Sequence, residues 1–264
     1  MPEPIATIDS ARRFVLSAPL PPARSRAGPA LESAGATAEE RVSLQTTEDQ
    51  ALVVGSEVLA FAHGVPATFR EDLVNSALLG QLVAGEQVPD LARIFDWYDA
   101  YFNALAEIGW SVGDRDFAIH VETGEEFEAH AAIQRVLTRA LGEGSTALGA
   151  VTRALETMRT VSDSPAVALF HRETRTAESA HFQVGTCEMN PSQEPFATVV
   201  GFALRARMET AQVLFLRRRT SEVMLQYCSS RIRIDPAVAD AVRRPLAERL
   251  TAHAIDYVKA LPAL

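Results

Sequence analysis

Hydrophobic positions along this 264-residue chain change period twice, and the changes divide it. From Asp72 to Trp110 the period is helical. Leu73, Ala77, Leu78, Leu82 and Val83 form one apolar stripe, and Gly85 and Pro89 interrupt it, one as a C-cap and the other as a stop. Asp90 is an N-cap for a second helix that buries Ile94, Trp97, Tyr98, Tyr101, Phe102, Leu105 and Ile108 and ends at Gly109-Trp110. Both tryptophans and two of the four tyrosines fall in this stretch, so aromatic packing between two helices is its first reading. Upstream, Thr47 to His63 reads as a helix with Val53, Val54, Val58, Leu59 and Phe61 on its apolar face. Downstream, Ser111 to Glu122 reads as a short strand or extended link. Thr123 and Glu126 make a capping box for a helix reaching about Leu141, and Ser145 starts another that carries Leu148, Val151, Leu155 and Met158.

After Ser164-Pro165 the period shortens. Ala166 to Phe170 is a compact apolar run, and Ala180 to Met189 alternates. Phe196 to Arg207, Ala211 to Arg219 and Glu222 to Ile234 are rich in Val, Phe, Leu and Ile. Their short links predict an antiparallel meander, because parallel crossovers need longer connections. Asp235-Pro236 then opens a last helix, with Asp at the N-cap and Pro at N1, bent at Pro245. The order predicts an α+β fold: N-terminal helices packed on a C-terminal antiparallel β-meander closed by a C-terminal helix.

Residues 1–45 are rich in Pro, Ala, Ser and Arg and read as a flexible tail, with Arg12-Arg13-Phe14-Val15-Leu16 as a short candidate docking segment. Residues 46–264 then form a single intertwined α/β domain: helices over 46–163, strands over 166–234 and the closing helix over 235–260.

Composition changes this picture little. The apolar fraction of 47% and charged fraction of 22% are ordinary for a globular protein, and the net charge of −9 argues against a nucleic-acid partner. Lys259 is the single lysine, which suits a GC-rich bacterial genome. The start lacks a basic segment followed by an apolar run, so no secretory signal is expected. No uncharged apolar stretch reaches the roughly 18–20 residues of a spanning helix. The expectation is a soluble protein made in the cytoplasm, since export by a specialised machine leaves no such mark.

Of the two cysteines, Cys187 lies near the end of an expected strand, beside Glu188 and before the Asn190-Pro191 turn, where a reagent or substrate can reach it. Glu188 would raise its pKa, which opposes reactivity. Cys228 shares a strand face with Met224, Ile232 and Ile234 and reads as a small buried hydrophobe. His181 is about 20 Å from Cys187 along a straight strand, and His171 meets it only if their strands are neighbours. His120, Glu122, Glu125, Glu126 and His130 match no strong zinc pattern, and Glu126 with His130 reads as an i,i+4 ion pair. Arg217, Arg218 and Arg219 sit at an expected hairpin turn. With Arg205, Arg207, Arg231 and Arg233 they could form a basic strand face. The plain reading is a solvated edge that blocks strand pairing, and the functional one is contact with anionic lipid headgroups. No glycine pattern for a nucleotide cofactor occurs.

Asn75-Ser76, Leu78-Leu79, Gln81-Leu82, Trp97-Tyr98, Tyr101, Leu105 and Gly109-Trp110 together resemble the Erwinia virulence factor (Evf) family, most strongly over residues 57–116. The resemblance implies an α/β protein of intertwined halves and a virulence or persistence factor that carries a palmitoyl thioester. By position along the chain it points to Cys187, with Cys228 as the alternative. The implied partners are a fatty acyl group or a lipid membrane, with no cofactor beyond covalent palmitate. Two other readings stand beside it: a cysteine-dependent acyltransferase or thioesterase-like enzyme, and a cargo protein delivered by secretion or packaging machinery through residues 1–45.

Overall fold

The protein is represented by a computed structural model that describes residues 6–23, 43–44, 46–121, 125–176, 178–206, 213–219 and 223–262. A sheet of eight strands lies between two helical layers. Its C-terminal half is the expected meander: β6 (Ser179–Met189) and β7 (Pro195–Arg205) pair antiparallel, and β7 pairs antiparallel with β9 (Met224–Ile234). Helix α7 (Pro236–Tyr257) follows the strands. Asp235 caps it, accepting from the amides of Ala237 at 2.9 Å and Val238 at 3.0 Å, and Pro236 takes the first turn.

The stretch read as a helix over 47–63 is a hairpin instead. β1 (Gln50–Val54) and β2 (Glu57–Phe61) are joined by Gly55-Ser56, with Gly55 at φ +56°. Both faces of this hairpin are covered, so its apolar residues run continuously and the alternation that marks a strand is lost. β2 runs parallel to β6, which makes one sheet of the N-terminal hairpin and the meander, with Glu57 opposite Gln183 and Phe61 opposite Cys187. The strand order is completed by β3 (Trp110–Val112) and β4 (Asp116–His120) on β9, and by β10 (Val258–Ala260) on β1.

One face of the sheet packs against α2 (Ala67–Gln87), α3 (Ile94–Glu107) and α7. Leu52, Val54, Leu59, Phe61, Cys187, Ala197, Val199, Cys228 and Ile232 point that way. The opposite face packs against α4 (Ala129–Leu141), α5 (Thr146–Thr160) and α6 (Pro165–Thr174), with Val53, Val58, Phe182, Val184, Val200, Phe202 and Leu225 inward. The register of alternate residues therefore divides the buried strand side chains between two cores.

Five further expectations are corrected. α2 does not stop at Gly85; it continues to Gln87, and the chain turns out before Pro89. Ala166–Phe170 is helical: Ser164 caps α6, accepting from Val167 N at 3.3 Å, and buried positions 166, 167, 169 and 170 follow helical spacing. The helix expected from Thr123 starts at Ala129, after β5 (Glu126–Glu128). β5 pairs with β8 (Arg217–Arg219) in a separate two-stranded sheet, so the described part of the stretch read as a strand over 211–219 adds no strand to the main meander; residues 211–212 lie outside the described residues. Within the stretch read as a flexible tail, Ile8–Ser17 form helix α1. It lies against α7, where Arg249 donates to the carbonyls of Val15 and Ala18 and Arg12 to that of Ala241 at 3.2 Å. Residues 24–42 lie outside the described residues.

Candidate functional site

The two thiols come first, because the sequence singles them out. Cys187 is not at an accessible strand end; it is fully buried in the core under α2. Burial pushes its thiol well above the usual range. Arg70 opposes that shift and Glu188 adds to it. Arg70 is itself fully buried, 5.2 Å over the Phe61 ring, and donates to the carbonyls of Val65 at 3.1 Å and Ala62 at 2.8 Å. Glu188 turns away to the start of α5, accepting from Ser145 Oγ at 2.9 Å and Thr146 N at 2.8 Å. Cys228 is also fully buried, and burial pushes its thiol up to about 12. A Cβ added at Gly201 would sit 2.9 Å from its sulfur and 2.7 Å from the Tyr98 ring, so the sulfur occupies a filled notch. His171 is on α6, against the opposite face of the sheet, and faces neither thiol.

The other candidates separate. Arg217 is not at a turn between meander strands. It pairs with Glu128 at 2.8 Å, and Arg219 and Arg218 lie opposite Glu126 and Phe127 in the small sheet. Arg231 stacks 4.8 Å over Phe196, and Arg207 lies outside the described residues. Glu126 and His130 are not an i,i+4 pair: Glu126 is in β5, and His130 Nε2 meets Glu156 at 3.0 Å. Glu122 lies outside the described residues.

The structure instead brings together residues that the sequence presents only as packing. On α2, Leu78, Gln81, Leu82, Gly85 and Glu86 form one stripe at helical spacing, and this stripe lines a cleft of about 310 Å³. Val88, Pro89 and Leu91 of the following link and Trp97 of α3 also line it. Ser56, His181, Glu173, Tyr257 and Pro21 complete the lining from the β1–β2 turn, β6, α6, α7 and the segment after α1. His253 of α7 holds Pro21 O at 3.0 Å from its ring.

Gln81 ties the cleft to a buried polar cluster. Its Oε1 accepts from Ser56 N at 2.9 Å, and its Nε2 donates to Val54 O at 2.9 Å and Glu57 Oε2 at 3.4 Å. Tyr101 of α3 donates its hydroxyl to the same Glu57 oxygen at 2.9 Å. Ser56 Oγ lies 3.1 Å from Gln81 Oε1 and 2.9 Å from Gln183 Oε1, both acceptors, so its single proton serves one at a time. Glu57 Oε1 and Gln183 Nε2, both buried, have no hydrogen-bond partner among the described residues. Burial raises the Glu57 carboxyl to about 8, against the opposing hydrogen bonds from Tyr101 and Gln81, so it is mostly protonated at neutral pH. His181 packs edge-on against Trp97 at 5.7 Å, and burial lowers it to about 4 despite Glu173, so its ring is neutral.

Ser56, Glu57 and Gln183 were missed. The signal was the polar Gly55-Ser56-Glu57 triplet between two apolar runs, a hairpin turn whose last residue is buried. Chemically, the site offers an apolar trough with a neutral hydrogen-bonding floor. Among the described residues no nucleophile and base are brought together in it.

No protein-family model matches the chain, and no curated protein matches it. Solved structures overlap it in part. One is a delta-endotoxin, at TM-score 0.42 and 10% identity over 76% of this chain and 91% of the other. Another is the Evf virulence factor, at TM-score 0.40 and 9% identity over 77% and 85%. The activated Cyt2Ba monomer from Bacillus thuringiensis subsp. israelensis gives TM-score 0.31 and 11% identity over 47% and 71%. Likeness at this level is partial overlap of architecture and bears on no residue of the cleft. No helix among the described residues is long and apolar enough to cross a membrane.

Proposed function

We propose that the protein is a lipid-interacting factor of the virulence type, which shelters a single acyl chain in the cleft beside α2 and α3. The observation that carries this reading is the cleft itself. Leu78, Leu82, Val88, Leu91 and Trp97 give it apolar walls, and it opens to solvent at Gly85 and Glu86. Leu78, Gln81, Leu82 and Trp97 belong to the set of residues on which the resemblance to the Evf family rests. Each buried CH2 contributes roughly 0.8 kcal/mol, so a chain entering this trough is held by its length. One chain alone binds a membrane only marginally and reversibly, which suits exchange between a bilayer and the cleft.

A palmitoyl thioester on Cys187 or Cys228 is the second reading. It requires α2 and α3 to lift from the sheet, because both sulfurs are enclosed and neither lines the cleft. Thiol-dependent acyl transfer meets the same barrier, and thiols raised by burial are poor nucleophiles. Native mass spectrometry of protein from bacterial cells separates the readings. The expected result is a lipid adduct that disappears on denaturation. An adduct that survives denaturation, is released by hydroxylamine and is absent from Cys187→Ser or Cys228→Ser would replace the cleft with a thioester. No adduct of either kind would remove the lipid reading.

A further inference from the structure

We propose that the cleft selects amphiphiles with an uncharged, hydrogen-bonding head group, the class of fatty alcohols, monoacylglycerols and fatty amides, and rejects fatty-acid anions. This rests on the acyl-chain reading and adds the head-group chemistry. The charge around the cleft carries the argument. Its lining contains two carboxylates, Glu86 and Glu173, and no lysine or arginine. Glu173 is paired at 2.7 Å with Arg172, whose guanidinium also donates to Asp256 O at 3.3 Å. That cation is therefore committed to protein groups. Glu86 has no ion-pair partner among the described residues and is exposed at the opening.

The floor is neutral as well. His181 is buried beside Trp97, and its ring carries no positive charge near pH 7. Neutral imidazole offers one donor and one acceptor, which complements a hydroxyl or an amide. A carboxylate head brings only acceptors. It would exchange water for a site with no lysine or arginine and a neighbouring negative charge, and that desolvation is unfavourable. Of the polar groups beneath, Gln81 and Ser56 are already engaged: they bond to each other and to Val54, Glu57 and Gln183.

The test uses dodecanol and dodecanoate as probes at pH 7, with the fluorescence of Trp97 as readout and Trp97→Phe as the control that abolishes the signal. Dodecanol is expected to bind at least about tenfold more tightly than dodecanoate, the scale set by one like-charge contact in a partly buried site. His181→Phe keeps an aromatic ring and removes both nitrogens. It is expected to weaken dodecanol by about fivefold, the scale of one hydrogen bond, and to leave dodecanoate unchanged. Glu86→Gln, at an exposed position that does not endanger folding, is expected to improve dodecanoate alone. Dodecanoate binding as tightly as dodecanol would overturn the selectivity and leave the acyl-chain reading intact. If neither probe perturbs Trp97, the acyl-chain reading itself falls.

Discussion

Glu57 is a carboxyl sealed under α2 and α3, and its ionisation should weaken the fold in a defined pH window. Its folded pKa of about 8 compares with an ordinary value of 4.5. Below 4.5 the group is protonated whether the chain is folded or not, and it contributes its full stability. Between 4.5 and 8 the unfolded chain loses the proton and the folded chain keeps it, so stability falls by about 1.4 kcal/mol per pH unit. Above 8 both states are ionised and the loss levels off. His181 acts with the opposite sign: its folded pKa of about 4 lies below the ordinary 6.5, so it adds stability as pH rises from 4 to 6.5. The two nearly offset each other up to pH 6.5. From 6.5 to 8 Glu57 acts without that opposition, and the fold should lose about 2 kcal/mol. Glu57→Gln keeps an oxygen for the Tyr101 hydroxyl and removes the titration. Urea unfolding, followed by tryptophan fluorescence at several pH values across this window, should show the loss in the wild type and a flat profile in Glu57→Gln. An identical slope in both proteins would refute the assignment of a buried, protonated carboxyl.

Other consequences follow from the same packing. Both thiols should resist a water-soluble disulfide reagent in the folded protein and react only as fast as the core opens; full labelling within the mixing time would contradict their burial. Gly185→Ala would place a Cβ 2.6 Å from Glu57 Oε1 and 2.4 Å from Leu59 Cδ2. It should destabilise by about 1–3 kcal/mol in urea melts, and a neutral effect would show that this seam is loose. Asp235→Ala removes a cap with two bonds and should cost about 1 kcal/mol by the same assay. Arg249→Ala removes the donors to Val15 O and Ala18 O. It should speed amide exchange across Ile8–Ser17 with little change in β6 and β7; unchanged exchange would mean that other contacts hold α1 in place.

How far the architecture can be read in advance depends on how each segment is covered. β6 and β7 have a short link and β-rich composition, and the closing helix carries Asp235-Pro236 at its start, so both follow from local pattern; β9 has the same composition but is reached only after the excursion through β8. The pairing of α2 with α3 follows from the spacing of Leu73, Leu78, Leu82, Trp97, Tyr101 and Leu105. The β1–β2 hairpin does not, because a strand buried on both faces loses its alternation and its Val-rich run resembles a helix face. α6 was obscured for a related reason: Ala166 to Phe170 is too short a run for its period to show. The cleft was hidden for a different one. It is assembled from seven separate parts of the chain, and Gln81, Glu57 and Gln183 become a cluster only because β2 runs parallel to β6. The cysteines drew attention as reactive residue types, and nothing local reveals that α2 and α3 close over them.

The central claim is that the trough beside α2 and α3, and not a sulfur, receives the hydrocarbon. Photo-crosslinking with a diazirine-bearing dodecanol, followed by peptide mapping, tests it directly. The account predicts adducts on Leu78, Leu82, Leu91 or Trp97, suppressed by excess dodecanol. Adducts confined to the peptides that carry Cys187 and Cys228, with the α2 and α3 peptides unlabelled, would contradict it.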